Sequence, residues 1–363
     1  MQIPQSDILT TNRLGKVFSN TVATYKFFWF LSIMQIHVKT DNPRISVWDI
    51  VVRMVANAWY PVHYFRLSFG KSDSLYDIVM NLQHITNISI DANVDTVIRG
   101  IKNSIADARV KEELTTLTLN VPYWFLSPWM PFPAKTPLDR KRKETILRSQ
   151  RLENNCLYSL NKDDNDFYIV LNPAWDTYLH THYKILIDFA YWNLTLFLQT
   201  RNPNVPAIPN KLIRPDVRIS LTKQHNYWDM VMELNGPIRC IYTDTELHPQ
   251  DYALDHFIPW SFVCHDLLWN LIPSNGSINS SKSNKLPDLD FYLPKLSALQ
   301  HHSIKVMINA SREPKVMEDF VSLGYSAKDL ADMSSDRFRE LYERTFNPIC
   351  QIALNMGFET WKY

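Results

Sequence analysis

Seven glycines against 21 prolines in 363 residues narrow the fold more than any other feature of this chain. Tight β-hairpins lean on residues that adopt positive φ, glycine above all. An all-β chain of this length with seven glycines would be short of turns. Proline instead ends helices and stiffens the links between them. The balance predicts helices joined by proline-marked connections. Apolar residues make up 45% and aromatic residues 13%, which excludes a disordered chain. The length exceeds one comfortable core and predicts two or three domains.

Local patterns fill in that outline. "SVWDIVVRMVANAW" carries Val47, Ile50, Val51, Met54 and Val55 at helical spacing, with Ser46 and Asp49 placed as a capping pair. The apolar run "FFWFLSIMQI" at 27–36 is too short to span a bilayer and reads as a buried helix, so no membrane role is expected. "VPYWFLSPWMPFPAKTP" at 121–137 reads as an ordered aromatic–proline loop closing a first domain. "CLYSL" and "FYIVL" flank "NKDDND" as a hairpin over 156–171. Asn172-Pro173 then opens a long apolar helix to about Thr200, proline being tolerated in the first turn. From about Ser334 the tail returns to helical spacing through Phe338, Leu341, Tyr342 and Phe346. The reading is a helical domain over 1–137, a connecting region of hairpin and long helix over 138–220, a compact module over 221–310 and a helical extension over 311–363.

A formal net charge of +1 gives no global pull toward nucleic acid, so any such attraction must be local. Cys156, Cys240, Cys264 and Cys350 form no CxxC pair and read as reduced thiols in a cytoplasmic protein. No secretory leader is read at the start.

The chemistry lies between Arg239 and Pro287. Asp255-His256 stand in "DHFIPWSF", Asn270 in "WNLIPS" and Asn279 in "NGSINSSKSNKLP"; from His256 the intervals are 14 and 23 residues. "YALDHFIPW" reads as one strand, "CHDLL" as a connecting loop and "NLIPS" as a second strand. A helix from about Asn275 to Lys285 then places Asn279 and Lys282 on one face. Alone, an Asp-His pair at a strand end is an ordinary surface pair, and "NGSINSSKSN" is a serine–asparagine linker. Phosphodiester hydrolysis gives the residues a common purpose. A neutral histidine can take a proton from water near physiological pH. A divalent ion can offset charge on the phosphate and the leaving oxygen. Asp255 and Asn279 offer few oxygen ligands, which suits magnesium.

Taken together, "DHFIPWSF…NLIPS…NSSKSNKLP" resembles the HNH, or ββα-metal, endonuclease family, in the form also found in the HNH domain of the CRISPR RNA-guided DNA nuclease. The resemblance implies a mainly α chain with a small α+β module: a helical N-terminal domain followed by a C-terminal ββα-metal domain. It implies that His256 is the general base and that Asn270 steadies the histidine and its loop. Asp255 and Asn279 become ligands of magnesium or manganese, and DNA becomes the substrate. Many family members add a zinc knuckle, but here "CIYT" keeps only Cys240, and Ser274 and Ser277 stand where a second cysteine pair would be. One thiolate cannot hold a four-ligand zinc, so no structural zinc is expected and the protein should carry less than one tightly bound equivalent.

Cys264-His265 reads as ordinary loop and His301-His302 as a helix-surface pair. Lys282 and Lys285 flank the expected active helix as phosphate contacts. Arg140 and Arg142 in "DRKRKETILRSQR" are either a second backbone contact or a solvated helix face. The helical N-terminal part with a C-terminal HNH module is similar to bacterial HNH proteins associated with defence against phage. That similarity implies a restriction-like role, with a partner protein or a guide acting on the N-terminal region. Two other readings stay open: an RNA-targeting nuclease, and a nucleic-acid-binding or assembly protein with a non-catalytic HNH fold.

Overall fold

The computed structural model describes residues 2–163, 166–214 and 220–363. The chain forms two compact units, Met1–Pro203 with Ile208–Arg214, and Asn204–Ala207 with Pro215–Tyr363. Both are mainly helical with small sheets.

The first unit is built on α1 (Tyr25–Thr40), β1 (Arg44–Ser46) and α2 (Val47–His63). Around them stand α3 (Ser74–Thr86), α4 (Val94–Asn103), α5 (Ala108–Thr118) and α6 (Leu138–Ser149). The apolar run at 27–36 lies in α1, with Phe27, Phe28, Trp29 and Phe30 at the centre of the core. Trp29 Nε1 donates to Tyr158 Oη at 3.0 Å, and that hydroxyl donates to the Pro122 carbonyl at 2.7 Å. The Trp29 indole and the Tyr158 hydroxyl are therefore both paired inside this aromatic core. Ser46 caps α2 by accepting from Trp48 N, but Asp49 does not complete a capping box; it pairs with Lys102 of α4. The expected loop at 121–137 begins with a helical turn, Val121–Trp124.

The hairpin is present as β2 (Tyr158–Lys162) and β3 (Phe167–Leu171), antiparallel, its turn residues 164 and 165 lying outside the described residues. β1 adds to β3 with Arg44 opposite Val170. This third strand was not read from the sequence, because three residues leave no period to detect. The expected single helix after Asn172 is two, α7 (Pro173–Thr181) and α8 (Tyr183–Arg201), broken at His182, which leaves helical geometry at φ −106°, ψ 16°. Few glycines are needed because aspartate and asparagine take left-handed helix ends. Asp41 closes α1 and Asn87 closes α3, both at φ 51°.

The second unit opens with α9 (Thr222–Asn235), then β4 (Ile238–Arg239) paired with β5 (Glu246–Leu247). β6 (Ala253–His256) pairs antiparallel with β7 (Leu271–Ser274), and α10 (Gly276–Lys282) follows. β8 (Leu286–Pro287) leads into α11 (Leu289–Asn309). α12 (Ala327–Asp332), α13 (Ser335–Asn355) and β9 (Thr360–Trp361) complete the chain, with β9 parallel to β8. Phe338, Tyr342 and Phe346 line one face of α13, as their spacing predicts, and stack in series. Phe346 packs edge-on against Phe257 and Trp269. The C-terminal helix thus forms the floor beneath the strand carrying Asp255 and His256. His301 is not a surface residue. It is buried, stacked on Phe338 at 4.4 Å with Nε2 3.1 Å from the Leu330 carbonyl, and burial lowers its pKa. His302 faces outward to Asn235.

Candidate active site

β6 delivers its last two residues to opposite faces, as strand geometry requires. Asp255 turns inward and is nearly fully buried. One carboxylate oxygen accepts from Tyr242 Oη at 2.6 Å, and the other accepts from Lys282 Nζ at 3.0 Å. Tyr242 is fixed in turn by edge-on packing against Tyr292 and Trp361. Burial raises the Tyr242 hydroxyl well above the usual phenol range, and the neighbouring Asp255 charge adds to it, so the phenol stays a donor.

Lys282, on α10 as expected, is wholly buried and also donates to the His256 carbonyl at 2.7 Å. This corrects the expectation that Lys282 holds a phosphate. An ammonium shared between Asp255 and a backbone carbonyl, with no exposed surface, has no open side for a substrate. The sequence placed it on the correct helix face and misjudged which way that face looks.

His256 turns the other way and keeps a little exposure, its side chain 14% accessible. Its Nε2 lies 2.8 Å from Asp266 Oδ1. Asp266 returns to His256 through the helical turn Trp260–Val263 and a left-handed Cys264 at φ 55°. Asp266 sits in the "CHDLL" loop and was not singled out from the sequence. Asn270 is fully buried and does not touch the imidazole. Its Oδ1 accepts from Ile258 N, its Nδ2 donates to the Ile258 carbonyl, both at 2.9 Å, and its own carbonyl accepts from Phe257 N at 2.8 Å. These three bonds clamp the chain immediately after His256.

Asn279, in the middle of α10, donates from Nδ2 to the Leu254 carbonyl at 3.3 Å. Lys285 lies beyond the helix, partly exposed and 3.5 Å from Glu359. Arg140 and Arg142 lie on α6 of the first unit. Arg140 and Arg148 both pair with Glu144, and Arg142 donates to Asn120. Pairs spaced four apart are the habit of a solvated helix face.

In the expected knuckle, buried Cys240 sits in the β4–β5 turn. Its N donates to the Thr245 carbonyl at 2.8 Å and its carbonyl accepts from Asp244 N at 2.9 Å. Ser274 Oγ donates to the Ala253 carbonyl and Ser277 Oγ to Asn275. The oxygen-bearing side chains at the cysteine positions are thus engaged in local hydrogen bonds.

The side-chain oxygens of Asp255 and Asn279 are of the type hard divalent ions take. A carboxylate has about four lone-pair sites, and Tyr242 and Lys282 fill two of those on Asp255. The hydrogen bond of Asn279 uses its amide nitrogen, not its oxygen. No curated protein and no solved structure matches the chain. Residues 240–288 match the family model described as HNH endonuclease, a stretch that runs from the β4–β5 turn to the start of α11 and holds every residue of this site. The match supports the HNH family for the segment 240–288 and with it a nucleic-acid endonuclease in general.

Proposed function

We propose that the second unit is a magnesium-dependent DNA endonuclease in which His256 activates water. The observation that carries this reading is the pairing of a slightly exposed imidazole with the Asp266 carboxylate, on the strand whose opposite face presents Asp255. An Nε2–H donated to Asp266 leaves Nδ1 as the basic nitrogen, able to take a proton from water. Asp266 also stabilises the imidazolium that forms. Asn270 keeps the loop, and so the ring, from swinging. Asp255 and Asn279 are the residues to hold the divalent ion; when bound, the ion supplies neutralising charge for the phosphate and the leaving oxygen. Manganese fits the same oxygen ligands. Lys285 and Arg140 keep their charged ends partly in solvent and are the proposed backbone contacts.

The free thiols are consistent with a cytoplasmic setting, where restriction-like attack on invading DNA is the role we propose. A partner or guide would then act through the first unit. The test is incubation of the full chain with supercoiled plasmid, linear DNA and single-stranded RNA in magnesium, with and without chelator. Chelator-sensitive nicking of plasmid is expected. Cleavage of RNA alone would replace DNA as substrate, and binding without cleavage of anything would make the fold a binding module.

A further inference from the structure

The first unit carries a second cluster of ligand-type side chains. His37 lies in the last turn of α1 and Asp41 is the left-handed residue that ends it, one helical turn later. Asp176 and His180 stand four apart on α7. The β1–β3 pairing makes the two pairs meet. β1 follows α1 directly, β3 runs directly into α7, and Leu171 N donates to the Pro43 carbonyl at 2.8 Å where they cross.

His37 is the unusual member. It is 1% exposed, and neither ring nitrogen has an aligned hydrogen-bond partner among the described residues. Its Nε2 nevertheless lies 3.1 Å from Asp176 Oδ1, close enough for an ion pair but without an aligned N–H. A buried imidazole left in that state carries the desolvation penalty of its ring nitrogens with nothing to offset it. His180 Nε2 lies 3.3 Å from Asp41 Oδ1 and 3.7 Å from Asp176 Oδ1. Ligand atoms of His37, Asp176 and His180 are all within 4.8 Å of one another.

We propose that His37, Asp176 and His180 form a three-residue site for a divalent transition ion of the zinc class, distinct from the nuclease centre. Bond lengths of about 2.0–2.2 Å in a tetrahedral zinc site set ligand atoms about 3.4 Å apart, and the separations of 3.1 and 3.7 Å from Asp176 to the two imidazoles bracket that spacing. Two imidazoles and a carboxylate suit zinc or cobalt rather than magnesium, which prefers oxygen and retains its waters. The ion would take the Nε2 lone pair of His37 and tie the end of α1 to α7. Asp176 and His180 are partly or largely exposed, so an ion has a way in.

Metal-stripped full-length protein should be titrated with cobalt and, separately, with zinc. The expected result is one cobalt equivalent with the visible absorption of a tetrahedral nitrogen–oxygen site, and a higher Tm in zinc. Asn279→Ala, which removes a proposed nuclease ligand without orphaning a buried charge, should keep both signals, which separates this site from the nuclease reading. His180→Ala and Asp176→Asn, at positions exposed enough to fold, should lose them, as should His37→Gln. Absence of the band in the parent protein, or its persistence in the His180 and Asp176 variants, would overturn the proposal and leave His37 and Asp176 a simple ion pair.

Discussion

In the second unit a buried carboxylate, Asp255, meets a phenol and an ammonium, each aligned and within 3.0 Å. In the first unit a buried imidazole, His37, sits 3.1 Å from a carboxylate with which it makes no aligned bond. The contrast separates two kinds of buried polar group. A satisfied cluster balances its own charge and fixes geometry, here the end of β6 and the direction of the lone pairs that remain on Asp255. An unsatisfied one calls for something from outside the chain, since an orphaned buried group is costly.

That contrast is most exposed to attack at the Asp255–Lys282 pair. Removing either partner leaves the other charge buried without compensation, at a cost of about 3–5 kcal/mol. Lys282→Met should therefore lower the urea midpoint sharply. The double change Asp255→Leu with Lys282→Met should recover most of the loss, because apolar replacement of a whole buried pair is often neutral. A single variant as stable as the parent would mean that the pair is not buried in solution.

His63 offers a smaller effect in the first unit. Burial, outweighing its backbone bond to Val79, lowers its pKa from the ordinary 6.5 to about 4. Because the folded value lies below the unfolded one, protonation favours the unfolded chain. The stability is complete above about pH 6.5 and is lost as pH falls toward 4, by about 3 kcal/mol. Replacing it as His63→Gln should flatten the dependence of Tm on pH across that window. An unchanged slope would show that other groups carry the acid sensitivity.

Smaller again is Asn270→Ala, which orphans the Ile258 N–H and carbonyl and should cost about 1–3 kcal/mol. Cleavage should fall with it, because the clamp behind His256 is gone. Loss of stability with full cleavage would show that the loop needs no clamp.

The sequence carried the outline of the site because its pieces lie in one short segment. Two strands and a helix around Asp255, His256, Asn270 and Asn279 follow the order the pattern predicts, but the first strand is only Ala253–His256, a helical turn opens at Trp260, and the helix ends at Lys282 rather than Lys285. Asp266 was hidden because alternation along β6 says that His256 faces away from Asp255, not what waits on that side. Its partner arrives through a turn that has no period. Tyr242 lies inside "CIYT", a stretch whose pattern is set by cysteine spacing and not by a hydroxyl. Lys282 and His301 are buried against expectation: charge and polarity predict exposure on average, and only packing decides the exceptions. The His37 cluster was illegible for another reason. Its halves lie far apart in the chain and meet through β1, a strand of three residues that no period can reveal.

The nuclease reading rests in the end on one imidazole. Single-turnover cleavage of the preferred substrate in magnesium should be compared between the parent chain and His256→Ala, alongside Tm and calorimetric magnesium affinity. The predicted result is cleavage reduced by about 10²–10⁴-fold, the usual contribution of a general base, with Tm and metal affinity close to those of the parent. Cleavage by His256→Ala at the parent rate would contradict the assignment and move the chemistry away from β6.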